Sequence, residues 1–170
     1  APPVFPLGMT VVTWTAINAA GATATATQRV TVRDTMAPTI TVPADKTVEQ
    51  TNRAGTSVTL GQATATDICD ASPTVTNGAP AVFPLGVTTV TWTARDTSGN
   101  TATATQKVTV SDTTAPTITA PADVTAEQTS ANGTPVNLGQ PTVSDICDAT
   151  PVVTSDAPAV FPLGLTTVTW

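Results

Sequence analysis

Along residues 88–95 the side chains alternate strictly between apolar and polar. Val90, Trp92 and Ala94 fall on one side, and Thr89, Thr91, Thr93 and Arg95 on the other. A period of two is the signature of a half-buried strand, because successive side chains leave a strand on opposite faces. Asp96-Thr97-Ser98-Gly99-Asn100 then reads as a turn, and residues 101–110 resume the alternation with Ala102, Ala104, Val108 and Val110 inward. Gln106 is a polar residue at an inward position, and predicts a bulge or a change of face there. Shorter strands are expected at 39–42, 47–49, 57–60 and 74–76, each bounded by Gly, Pro, Asp or Asn. Many short strands separated by such residues predict an all-β immunoglobulin-like antiparallel β-sandwich.

The pattern recurs at a fixed interval. Val4-Phe5-Pro6-Leu7-Gly8 returns at 82–86 and again at 160–164, and Trp14, Trp92 and Trp170 keep the same 78-residue spacing, as do Cys69 and Cys147. A period this long, with no helical phase, suits one small β domain per repeat. Asp34 to Pro38 and Asp112 to Pro116 share the form Asp-Thr-x-Ala-Pro and mark the boundaries, since Pro punctuates the strand pattern there. Residues 36–113 are then a complete domain, residues 1–35 the end of a preceding one and 114–170 the start of a third. The expected core of each repeat is its Trp (Trp14, Trp92, Trp170) with Phe83 and Phe161, supported by Val, Ile and Leu.

Charge narrows the function classes. Six Lys+Arg against twelve Asp+Glu leave a net charge of -6, and only 11% of residues are charged. Nucleic acid and anionic membranes need clustered basic residues, so neither is expected as a partner. No apolar run is long enough to insert into a bilayer. Thr fills about a quarter of the positions and favours strands. Thr89, Thr91 and Thr93 beside Thr101, Thr103 and Thr105 should make a neutral outward face suited to lateral contact. With no His in the chain, the usual general base is missing, and no phosphate-cradling Gly loop appears. An enzyme is not expected.

In order and spacing, several motifs resemble the hyalin-repeat (HYR) family of extracellular modules. They are Ala-Pro-Thr-Ile (115–118) with Pro121-Ala122-Asp123, Thr66-Asp67-Ile68-Cys69-Asp70, Phe83-Pro84-Leu85-Gly86 before Thr88-Thr89-Val90-Thr91, and Asp96-Thr97-Ser98-Gly99-Asn100-Thr101. The resemblance implies tandem immunoglobulin-like domains serving as secreted or cell-surface spacers and adhesion modules without catalysis. Family members often carry several cysteines per repeat, paired within the domain; here Val42 and Ala104 stand where others often place Cys.

Two candidate chemistries remain. Cys69 and Cys147 fall in different repeats, so they are read either as interchain bridges between neighbouring arrays or as buried free thiols. Their flanking Asp residues should disfavour the thiolate. The acidic loops are the second. The sandwich topology predicts that Asp67, Asp70, Asp96 and the incoming Asp34 meet at one pole, with Asp112, Asp145 and Asp148 at the next junction. Such a set suits an interdomain Ca²⁺, while the plainer reading is that each Asp caps its own turn. No cofactor is required. The expected function is a structural extracellular repeat protein, a spacer, stalk or filament subunit assembling through self-contacts. The alternative is a cell-surface adhesin module that binds a host, matrix or glycan partner.

Overall fold

β-Branched Thr and Val dominate the strands because their branched side chains pack well on a pleated surface. The computed structural model describes residues 4–170, and ten strands with no helix make up its regular structure there. A two-stranded antiparallel hairpin comes first, β1 (Gly8–Ile17) on β2 (Thr23–Val32), with Trp14 opposite Ala26 and Val12 opposite Gln28. A second pair joins β3 (Thr39–Thr41) to β5 (Thr64–Thr66). The largest sheet has the order β4-β8-β7-β6, with β4 Lys46–Glu49, β6 Thr74–Asn77, β7 Gly86–Arg95 and β8 Thr101–Ser111. Within it β4 runs parallel to β8, setting Val48 beside Val110, and β6 runs antiparallel to β7. The chain closes with β9 (Thr117–Thr119) on β10 (Thr142–Ser144).

Two expectations are corrected. Residues 57–60 are not a strand, although Thr56, Val58 and Leu60 keep an alternating inward burial; Thr56 makes only an isolated bridge to Phe83. The Lys46 ammonium instead donates to the Thr59 carbonyl. The strand that the pattern missed is β5, whose Thr-Ala-Thr carries too little apolar contrast to reveal a period. Nor does β8 bulge at Gln106. It runs unbroken for 11 residues, and Gln106 keeps its inward place with no exposed surface.

The buried apolar residues are Val12, Leu60, Phe83, Val90, Trp92, Ala94, Val108 and Val110. Trp92 is 5% exposed. Trp14 is expected in a core but is 54% exposed, because its hairpin has two strands and, among the described residues, no further strand pairs with either edge. Trp170 and Phe161 are half-buried. Residues 124–127 and 152–155, the repeats of β4 and β6, form no ladder. In the 36–113 stretch those strands exist by pairing with β8 and β7.

Two compact units emerge from the packing. One takes residues up to Ala44 with Gly61–Ala79 and Val90–Gln106; the other takes Asp45–Leu60, Pro80–Thr89 and Lys107–Trp170. These units cut across the repeat boundaries near 36 and 114. Each contains one Asp-Thr-x-Ala-Pro joint.

Candidate functional site: the acidic joints

The Asp-Ile-Cys-Asp loops owe their shape to a short side chain that can fold back on the backbone. Oδ1 of Asp67 accepts the backbone N–H of Cys69 at 2.8 Å and that of Asp70 at 3.0 Å. One repeat later, Asp145 Oδ1 accepts from Cys147 at 2.7 Å and Asp148 at 2.6 Å. The joint aspartates are used in the same way: Asp34 Oδ1 accepts from Met36 N at 3.1 Å, and Asp112 Oδ1 from Thr114 N at 3.2 Å. Joint and loop thereby converge. The ligand atoms of Asp34, Asp67 and Cys69 lie within 4.8 Å of one another, and those of Asp112, Asp145 and Cys147 repeat the arrangement.

The other predicted ligands are committed to the backbone. Asp70 Oδ1 accepts from Ser72 N and its Oδ2 from Thr97 N, both at 2.8 Å, which ties the loop to the 96–100 turn. Asp96, itself buried, accepts from the Asn100 backbone and side-chain amide, each at 2.8 Å. Asn100 also donates to the Asp34 carbonyl at 3.4 Å. Asp148 Oδ1 accepts from Thr150 N at 2.8 Å. Asp34 Oδ2 is the exception, buried without a hydrogen-bond partner. Calcium takes roughly six to eight oxygens, whereas each cluster offers two carboxylates and a thiol. That donor set does not complete a calcium shell.

Electrostatics keep the thiols protonated. Desolvation raises the Cys69 pKa, and the Asp34 and Asp67 charges raise it further. Cys147 is raised by desolvation and by Asp112, Asp145 and Glu49, with Arg53 opposing. Both cysteines are free. The expectation of a buried thiol is corrected, since Cys69 is exposed and Cys147 half-buried. The sequence predicts that each joint Asp meets the loop carboxylates; the fold adds the thiols of Cys69 and Cys147 to those groups.

The second joint carries further contacts. Glu49, at the end of β4, accepts from Thr113 N at 2.6 Å, Thr113 Oγ1 at 2.9 Å and Thr114 Oγ1 at 3.2 Å. The backbone bond from Thr113 is the main cause of its lowered pKa. Cys147 Sγ donates to the Gln50 carbonyl at 3.5 Å. Arg53, which the sequence reading passed over, donates to the carbonyls of Asp145, Cys147 and Asp148 at 3.2, 3.2 and 2.8 Å.

This combination, a Trp-centred β unit with acidic joints, is matched by the family model described as HYR domain over residues 33–110. Residues 33–110 belong to the HYR domain family. Hyalin of Lytechinus variegatus is 43% identical over 114 residues, covering 63% of this chain and 22% of the relative. Hyalin of Strongylocentrotus purpuratus is 34% identical over 178 residues, covering 98% of the chain and 15% of the relative. The chain thus spans less than a quarter of the length of either. No solved structure matches it significantly. The HYR match begins at Arg33, so it takes in the first joint aspartate as well as β3 to β7 and β8 up to Val110.

Proposed function

We propose that this chain is part of an extracellular structural array, a spacer, stalk or filament element, and that it acts without catalysis. The observation that carries the reading is the division of labour within the 83–110 stretch. Apolar bulk is spent inward on Trp92, Phe83 and the valines, while Thr89, Thr91, Thr101, Thr103 and Thr105 stand exposed and uncharged. A low-charge hydroxyl face repels its own copies weakly, which favours lateral self-contact. Membership of residues 33–110 in the HYR domain family and similarity to hyalin support the adhesion-type, extracellular setting. No cation is required, because turn carboxylates already hold backbone N–H groups.

Sedimentation and electron microscopy of the purified chain over a concentration series test the proposal. Concentration-dependent ordered assemblies are expected. Discrete monomers at every concentration would overturn self-assembly and leave the adhesin module as the better reading.

A further inference from the structure

The turn Asn52–Gly55 is built to hold its tip rigidly. Asn52 Oδ1 accepts from Ala54 N at 2.8 Å, and Gly55 N donates to the Asn52 carbonyl at 2.9 Å. Gly55 has φ +122°, and a Cβ there would stand 3.0 Å from the Phe83 carbonyl oxygen, so the turn is seated directly on buried Phe83 backbone. Arg53 projects from this turn. Its guanidinium is a planar fork of donors that no ammonium can reproduce. Three carbonyls receive it, those of Asp145, Cys147 and Asp148. They converge because Asp145 Oδ1 gathers the N–H groups of Cys147 and Asp148 and so fixes that loop.

The third repeat has the same turn with a different tip. Gly133 N donates to the Ser130 carbonyl at 3.1 Å, Ser130 Oγ accepts from Asn132 N at 3.2 Å, and a Cβ on Gly133 would stand 2.9 Å from the Phe161 carbonyl oxygen. The residue in the place of Arg53 is Ala131. The scaffold is repeated, and the donor is not.

We propose that the Asp145–Asp148 loop is a guanidinium receptor for the Arg53-bearing turn of the repeat before it. At the joint at 112–116, which Glu49 also holds through Thr113 and Thr114 and Cys147 through the Gln50 carbonyl, this side chain is the contact that differs between repeats and so tunes the stiffness. Joints that follow an Arg-tipped turn are clamped, and joints that follow an Ala-tipped turn such as Ala131 are looser, so an array encodes its bending pattern at one position per repeat. The inference concerns the joint alone and holds whether or not the chain self-assembles.

Residual dipolar couplings on the whole 170-residue chain test it. In the native chain, residues 45–60 and 117–144, which lie in one compact unit, should share one alignment tensor. Arg53→Ala should give two distinct tensors and roughly tenfold faster amide exchange at Cys147 and Asp148. The melting temperature of the 36–113 domain should not move. Arg53→Lys should not restore the single tensor, since one ammonium cannot span three carbonyls. Asp145→Ala, which leaves Arg53 intact but collapses its receptor, should reproduce the Arg53→Ala result. One shared tensor in Arg53→Ala, or full rescue by Lys, would overturn the proposal.

Discussion

Trp92 donates its indole N–H to Gln106 Oε1 at 3.2 Å in the buried centre of the large sheet, and Gln106 Nε2 donates onward to the Ala44 carbonyl at 2.7 Å. A fully buried amide is therefore satisfied at both ends, and the strand has no reason to bulge. The same pair exists in the first hairpin, Trp14 to Gln28 at 3.1 Å, but exposed to water.

That contrast makes a paired prediction. Gln106→Leu orphans the buried Trp92 N–H, at a cost of about 1–3 kcal/mol, and also removes the bond to the Ala44 carbonyl. Gln28→Leu removes an exposed bond and should change stability by no more than about 0.5 kcal/mol. Denaturant titration of the two variants measures the difference. Trp92→Ala should cost about 3–5 kcal/mol through the cavity it leaves.

The free thiols should resist oxidation. Desolvation and neighbouring carboxylates push both pKa values above the ordinary thiol value of 9.0, so little thiolate exists at neutral pH. Alkylation by iodoacetamide should be slow at pH 7 and accelerate only above pH 9. Asp67→Asn should speed Cys69 selectively. On a non-reducing gel the chain should run as a monomer; a dimer band would point to an interchain bridge.

Acid should loosen the second joint first. Glu49 is held below 4.5 by the Thr113 backbone bond, and Asp145 below 3.8 chiefly by the backbone N–H groups of Asp148 and Cys147. A carboxylate whose folded pKa is depressed stabilises the fold above its unfolded pKa and loses that contribution as pH falls through the folded value. Stability should therefore be flat from pH 7 to about 5 and fall below that. Glu49→Gln should flatten the upper part of that fall in a melting series.

Chelation should leave the protein unchanged. The Asp70, Asp96, Asp145 and Asp148 carboxylates already accept backbone N–H groups. Excess chelator should shift the melting temperature by less than about 1 °C, a shift of roughly 0.2 kcal/mol or less for a domain of this size. A loss of several degrees, restored by Ca²⁺, would instead assign a cation to Asp34 and Asp67.

Several elements are legible in the sequence itself. The strict alternation at 88–95 and 101–110 located β7 and β8, because a half-buried strand writes its period directly into side-chain polarity. The Asp-rich loops could be placed at one pole, since sandwich topology carries successive loops to the same end. β5 was not legible, as Thr-Ala-Thr has no contrast to read. Arg53 was not legible either, for its partners are backbone carbonyls, and these leave no mark on residue identity.

By itself the sequence determined the 78-residue period, the all-β class, and which strand faces turn inward. Those follow from local chemistry, where side-chain polarity and turn residues act over a few positions. Tertiary structure alone decided that Gln106 could stay inside, that Trp14 lies exposed while Trp92 is buried, and that Arg53 reaches a loop more than ninety residues away. Each depends on what packs against the residue from distant chain. The same Trp-Thr-Ala pattern is a core where neighbouring strands cover it and a wet surface where none does.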